Sequence, residues 1–103
     1  MKLRVGQTLA STVDATTVIV VRWPGDDLEI TCGGARMVDP RGPEAGTTGV
    51  ADPGQLGGSR LGKRYADDEL GVEFLCTKAG EGTLAVNGSP LPVKDAKPLP
   101  ASD

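Results

Sequence analysis

The segment Thr83-Leu84-Ala85-Val86-Asn87-Gly88-Ser89-Pro90-Leu91-Pro92-Val93 sets an Asn-Gly pair between two short runs carrying Leu, Val and Pro. Asn and Gly tolerate the positive φ angles that both central positions of a type I′ turn require, and the twist of that turn suits antiparallel strands. The segment therefore predicts a two-residue β-hairpin. Such a loop sets Val86 opposite Ser89 in a hydrogen-bonded pair and Leu84 opposite Leu91. Pro90 and Pro92 then fall where their nitrogens point away from the partner strand. A missing N–H costs nothing there and blunts the outer edge, so residues 89–93 are expected to form an edge strand.

Two upstream segments share this grammar. Lys63-Arg64-Tyr65 leads into the acidic turn Asp67-Asp68-Glu69, and Val72-Glu73-Phe74-Leu75-Cys76 returns. Earlier, Val18-Ile19-Val20-Val21 is β-branched throughout and reads as a strand covered on both faces. Trp23-Pro24-Gly25-Asp26 then has Pro and Gly at the second and third positions of a type II turn. Leu28-Glu29-Ile30-Thr31-Cys32 alternates with period two, which predicts a hairpin with the preceding strand. Aligned, the two segments match an aromatic, an Asp pair and a Glu-x-x-Cys strand. This pattern is either an old duplication or two generic hairpins with similar turns. Val5 and residues 9–12 supply one or two further strands.

The chain has 103 residues, fifteen glycines, eight prolines and only Trp23, Tyr65 and Phe74 as aromatics. That composition favours short strands and many turns over long helices. The expected fold class is all-β, a small antiparallel barrel or sandwich of about six to eight strands built from hairpins. Residues 1–93 are expected to form a single β domain, with 33–59 a long flexible loop and 94–103 an extended C-terminal tail. The core is thin, which favours burial against a second copy or a partner.

Charge and composition exclude several function classes. A net charge of −3 argues against nucleic acid as the main ligand, because phosphate binding depends on clustered Lys and Arg. The first residues lack the apolar run of a signal peptide, and no stretch is apolar enough to span a bilayer, so a cytoplasmic, reducing setting is expected. There is no histidine, which removes the commonest general base, the His-paired nucleophiles and His-ligated metals.

Cys32 and Cys76 carry the remaining chemistry. Two separated thiols fall short of the four ligands a structural zinc site usually takes, so a Zn or Fe site would need both cysteines from each copy of a homodimer. Against this, strand alternation places Cys32 with Leu28 and Ile30, and Cys76 with Val72 and Phe74. Buried structural thiols are the expected reading, with no cofactor. Gly57-Gly58-Ser59-Arg60-Leu61-Gly62-Lys63 nearly matches a phosphate-binding P-loop, but Arg64 stands where Ser or Thr is required and no helix follows. Arg60, Lys63 and Arg64 remain as candidates to hold a carboxylate or phosphate. The acidic pairs are expected to serve turns, with Glu29 and Glu73 facing solvent.

The strings Thr31-Cys32-Gly33-Gly34, Gly62-Lys63-Arg64-Tyr65 and Leu75-Cys76-Thr77-Lys78-Ala79-Gly80 resemble a family of small uncharacterised actinobacterial proteins. The resemblance implies no activity, cofactor or partner. The expected function is a non-enzymatic accessory or binding module acting through protein–protein contacts, as a homo-oligomer or on an enzyme partner. Arg36, Met37, Arg60, Lys63 and Arg64 are its candidate contact residues, with Val38 and Arg41 beside them in the long loop. The alternatives are the shared dicysteine metal site and an enzyme using Glu29 and Glu73 as acid and base.

Overall fold

A computed structural model describes residues 3–25 and 27–94, so Asp26 of the first expected turn and nearly all of the expected tail lie outside the described residues. Among the described residues, eight strands make two four-stranded antiparallel sheets. The first holds β1 (Thr8–Ala10), β2 (Thr17–Arg22), β6 (Val72–Lys78) and β5 (Arg64–Asp67), in that spatial order. The second holds β4 (Ala35–Arg36), β3 (Ile30–Cys32), β7 (Leu84–Val86) and β8 (Ser89–Pro90). One 3₁₀ turn, Pro53–Gln55, is capped by the Asp52 side chain. No helix among the described residues is long and apolar enough to cross a membrane.

The β5–β6 and β7–β8 hairpins form where local turn chemistry predicts them. Asp67 closes the first: its Oδ1 accepts the N–H groups of Glu69 and Leu70, and its carbonyl accepts that of Gly71. In the second, Asn87 and Gly88 take φ of 49° and 84°, with Val86 opposite Ser89 and the Leu91 N–H on the Leu84 carbonyl. These are the positive φ values of a type I′ turn.

The expected hairpin between residues 18 and 32 does not form. β2 lies between β1 and β6, with Val18 and Val20 opposite Cys76 and Phe74, whereas β3 pairs with β4 and β7 in the other sheet. The long β6 satisfies β2 along its length and leaves it no free edge. The chain then leaves the sheet at Trp23, which packs edge-on against Phe74 at 6.4 Å. The supposed repeat therefore joins one hairpin to one crossover between sheets. Nor is β2 covered on both faces: Val18 and Val20 are buried, while Ile19 and Val21 are only half-buried.

The inner faces share one core, including Leu9, Val18, Val20, Ile30, Met37, Phe74, Leu84 and Val86. Hydrogen bonds also join the sheets at both margins. Ala10 and Val38 exchange two backbone bonds at one side. At the other, Ala66 N–H reaches the Pro92 carbonyl, and Lys94 N–H reaches the Arg64 carbonyl. The strand beyond Ser89 is thus not a bare edge. Pro92 offers no donor outward, but its carbonyl faces the same way and is used.

Residues 33–59 are held to the body at several points. Met37 N–H donates to the Ile30 carbonyl, Gly49 N–H to Thr12, Asp52 N–H to Gly33, and Thr83 N–H to Gln55.

Candidate functional site

The two cysteines sit where strand alternation puts them. Cys32 lies on β3 opposite Leu84, Cys76 on β6 opposite Val18, and they are 0% and 1% exposed. Cys76 Sγ donates to the Lys78 carbonyl at 3.1 Å. Cys32 Sγ packs against Gly82, where an added Cβ would approach it to 2.6 Å. Burial pushes both thiols above the ordinary cysteine range. For Cys32 the nearby Ser11 and Thr16 hydroxyls offset only part of that, and the Asp14 charge adds to it. Such thiols are poor nucleophiles. Among the described residues no group of three or more Cys, Asp or Glu is placed to hold a metal ion.

Asp14, beside this cluster, has a structural task. Its Oδ2 accepts the N–H groups of Glu81 and Gly82, and its Oδ1 that of Thr16, fixing the turn before β7. Burial raises its pKa, but these hydrogen bonds prevail and hold the carboxyl below its ordinary range.

Glu29 and Glu73 do not form an acid–base pair. Glu29 is exposed ahead of β3, its N–H bound to Asn87 Oδ1. Glu73 points away from the apolar face of β6, yet it is only 2% exposed rather than solvated. Lys94 Nζ reaches its Oε1 at 2.9 Å and Arg64 Nη1 its Oε2 at 3.4 Å. The Lys94 hydrogen bond, against the opposing effect of burial and with the charges of Lys94, Arg64 and Arg22, holds the carboxyl below its ordinary range. This is a clamp joining β6, β5 and the chain beyond β8.

The candidate contact residues fall in separate places. Arg36 is exposed on β4, the opposite margin of its sheet from β8. Met37, expected at a contact surface, is fully buried, because its backbone continues the β4 pairing and turns the side chain into the core. Val38 is buried too. Arg41 borders an open groove of about 670 Å³ with Arg4, but Asp39 places a carboxylate in the same groove.

Arg60 and Lys63 instead share a cleft of about 490 Å³ with Tyr65, Thr83, Leu91 and Val93. Among the described residues no carboxylate lines it. Neither cation has an ion-pair partner among the described residues, whereas Arg64, the next residue, is engaged by Glu73. Tyr65 Oη accepts the Arg60 N–H at 2.9 Å, and Thr83 Oγ1 accepts the Gly57 N–H at 2.6 Å. Leu91 is buried at the cleft, Val93 is 40% exposed and Leu61, between the two cations in sequence, is 66% exposed.

The resemblance to a P-loop also ends here on physical grounds. A phosphate cradle needs free backbone N–H groups. Those of Gly57, Gly58, Ser59, Arg60, Gly62 and Lys63 all donate within the protein. Sequence reasoning found the two cations but missed Tyr65, Thr83, Leu91 and Val93 as their companions. The one signal available was a run from residue 57 to 66 with three cations and no acid in a net acidic chain. Comparison with protein-family models, with curated proteins and with solved structures gave no match.

Proposed function

We propose that this protein is a non-enzymatic binding module that acts through protein–protein contacts, with the Arg60–Lys63 cleft as its contact surface. The observation that carries this reading is the combination in one cleft of cations without an ion-pair partner among the described residues, hydroxyl donors and apolar side chains. Exposed apolar surface rimmed by charge is the usual make-up of a contact site. Two sheets hydrogen-bonded at both margins fit a flattened barrel, a rigid body on which such a surface stays preorganised. Two buried free thiols fit a reducing, cytoplasmic setting. No observation favours the metal-site alternative.

Native mass spectrometry of the full chain purified from its own host tests the reading. Wild-type protein should carry a second chain, its own copy or another protein, that the double variant Arg60→Glu/Lys63→Glu loses and Arg36→Glu keeps. A wild-type protein that remains a bare monomer at every concentration tried, or a partner retained by the double variant, would overturn it.

A further inference from the structure

We infer that the occupant of the Arg60–Lys63 cleft is an extended peptide segment presenting an Asp or Glu side chain to the two cations, with an adjacent apolar side chain against Val93. The inference rests on the binding-module reading and specifies its partner.

Charge complementarity is the first support. The chain is net negative, yet among the described residues no carboxylate lines this cleft and its two cations have no ion-pair partner. The hydroxyls point the same way. Tyr65 Oη and Thr83 Oγ1 each accept a backbone N–H, so each retains its own proton to donate. The side chains around the cleft therefore offer donors and positive charge, and an acceptor carrying negative charge satisfies them.

The type of anion follows from what the cleft lacks. Phosphate recognition usually draws on backbone N–H groups, and those of Gly57, Gly58, Ser59, Arg60, Gly62 and Lys63 are committed inside the protein. A carboxylate needs fewer donors and is met by one guanidinium or ammonium with a hydroxyl. Single-stranded nucleic acid would also want exposed aromatic faces for stacking. Tyr65 is the only aromatic at the cleft and is 5% exposed, so no such face is offered. Val93, 40% exposed, provides apolar surface instead, which suits an aliphatic or aromatic residue next to the acid.

Selection from a displayed library of random dodecapeptides, run in parallel on the wild-type full chain and on Arg60→Glu/Lys63→Glu, tests this. Both substituted side chains are exposed, so the variant should keep the wild-type melting temperature. If it does not, Arg60→Gln/Lys63→Gln replaces it. The expected result is enrichment, on wild type alone, of peptides with Asp or Glu beside an apolar residue. Calorimetry on one synthesised winner should show roughly tenfold or greater weakening when its acid becomes the amide, the size expected for charge-assisted hydrogen bonds. Apolar peptides enriched without acids, but only on wild type, would overturn the acidic specificity while leaving the cleft as a binding site. Equal enrichment on both proteins, or none, would remove the cleft from both readings. Displacement of the winning peptide by inorganic phosphate or a thymidine dodecamer at lower concentration than by the free peptide would replace the carboxylate with a phosphate-bearing ligand.

Discussion

Arg64 and its near neighbours Arg60 and Lys63 belong to one basic run, yet the fold uses them in opposite ways. Arg64 enters β5 opposite Leu75, and from there its guanidinium reaches Glu73. Arg60 and Lys63 precede the strand, on a turn closed by the Lys63 N–H to the Arg60 carbonyl, and their side chains find no acid among the described residues. Strand register therefore decides which positive charges hold the protein together and which stay available to another molecule. Composition alone does not separate them.

The clamp half of this contrast should respond most strongly to Lys94→Ala. That change leaves the buried Glu73 carboxylate with Arg64 as its one ion-pair partner among the described residues. Loss of one partner of a buried pair is costly, but Lys94 is itself half-exposed and solvent screens part of the effect, so about 2 kcal/mol of stability should be lost by denaturant titration. An unchanged denaturation midpoint would show the clamp to be ornamental.

Acid should loosen the same clamp next. The folded-state pKa of Glu73 lies below the ordinary value of 4.5, so the unfolded chain takes up a proton more readily. The contribution of Glu73 is thus complete above about that pH and is lost as the pH falls through the lowered folded-state value. Glu73→Gln should flatten this part of the acid limb while lowering stability at neutral pH. An acid limb of the same shape in both proteins would assign the loss to other carboxylates.

Arg64→Ala should cost less, about 1 kcal/mol, because its contact to Glu73 is longer and its side chain more exposed than that of Lys94. A cost equal to that of Lys94→Ala would mean that both cations share the load.

Smallest of all, Arg60→Glu/Lys63→Glu should move stability by no more than about 0.5 kcal/mol, as exposed substitutions away from any structural contact do. A larger loss would erase the contrast.

How much of this was legible in the sequence depended on distance along the chain. The β5–β6 and β7–β8 hairpins could be read because Asp67, Asn87 and Gly88 act within a few residues of themselves. The apolar placement of Cys32 and Cys76 followed from strand alternation, which is also local. The partner of β2 could not be read in the same way. Val18 and Val20 were free to face β3 or β6, and only the packed core selects Cys76 and Phe74. Glu73 looked solvated because Lys94 stands 21 residues away. Met37 looked available because nothing local reveals that its N–H extends the β3–β4 pairing through Ile30. The cleft was half visible for the same reason: its cations are close in sequence, while Thr83, Leu91 and Val93 arrive through sheet pairing.

The Lys94 clamp also bears on the order and speed of folding. Hairpins with short loops close in microseconds, but the seam between β5 and residues 92–94 joins two of them and must wait for both. Interactions made after the transition state act on unfolding, not on folding. In a chevron experiment Lys94→Ala should therefore raise the unfolding rate and leave the folding rate nearly unchanged. The side chain that fastens the far margin would then set how long a folded molecule lasts.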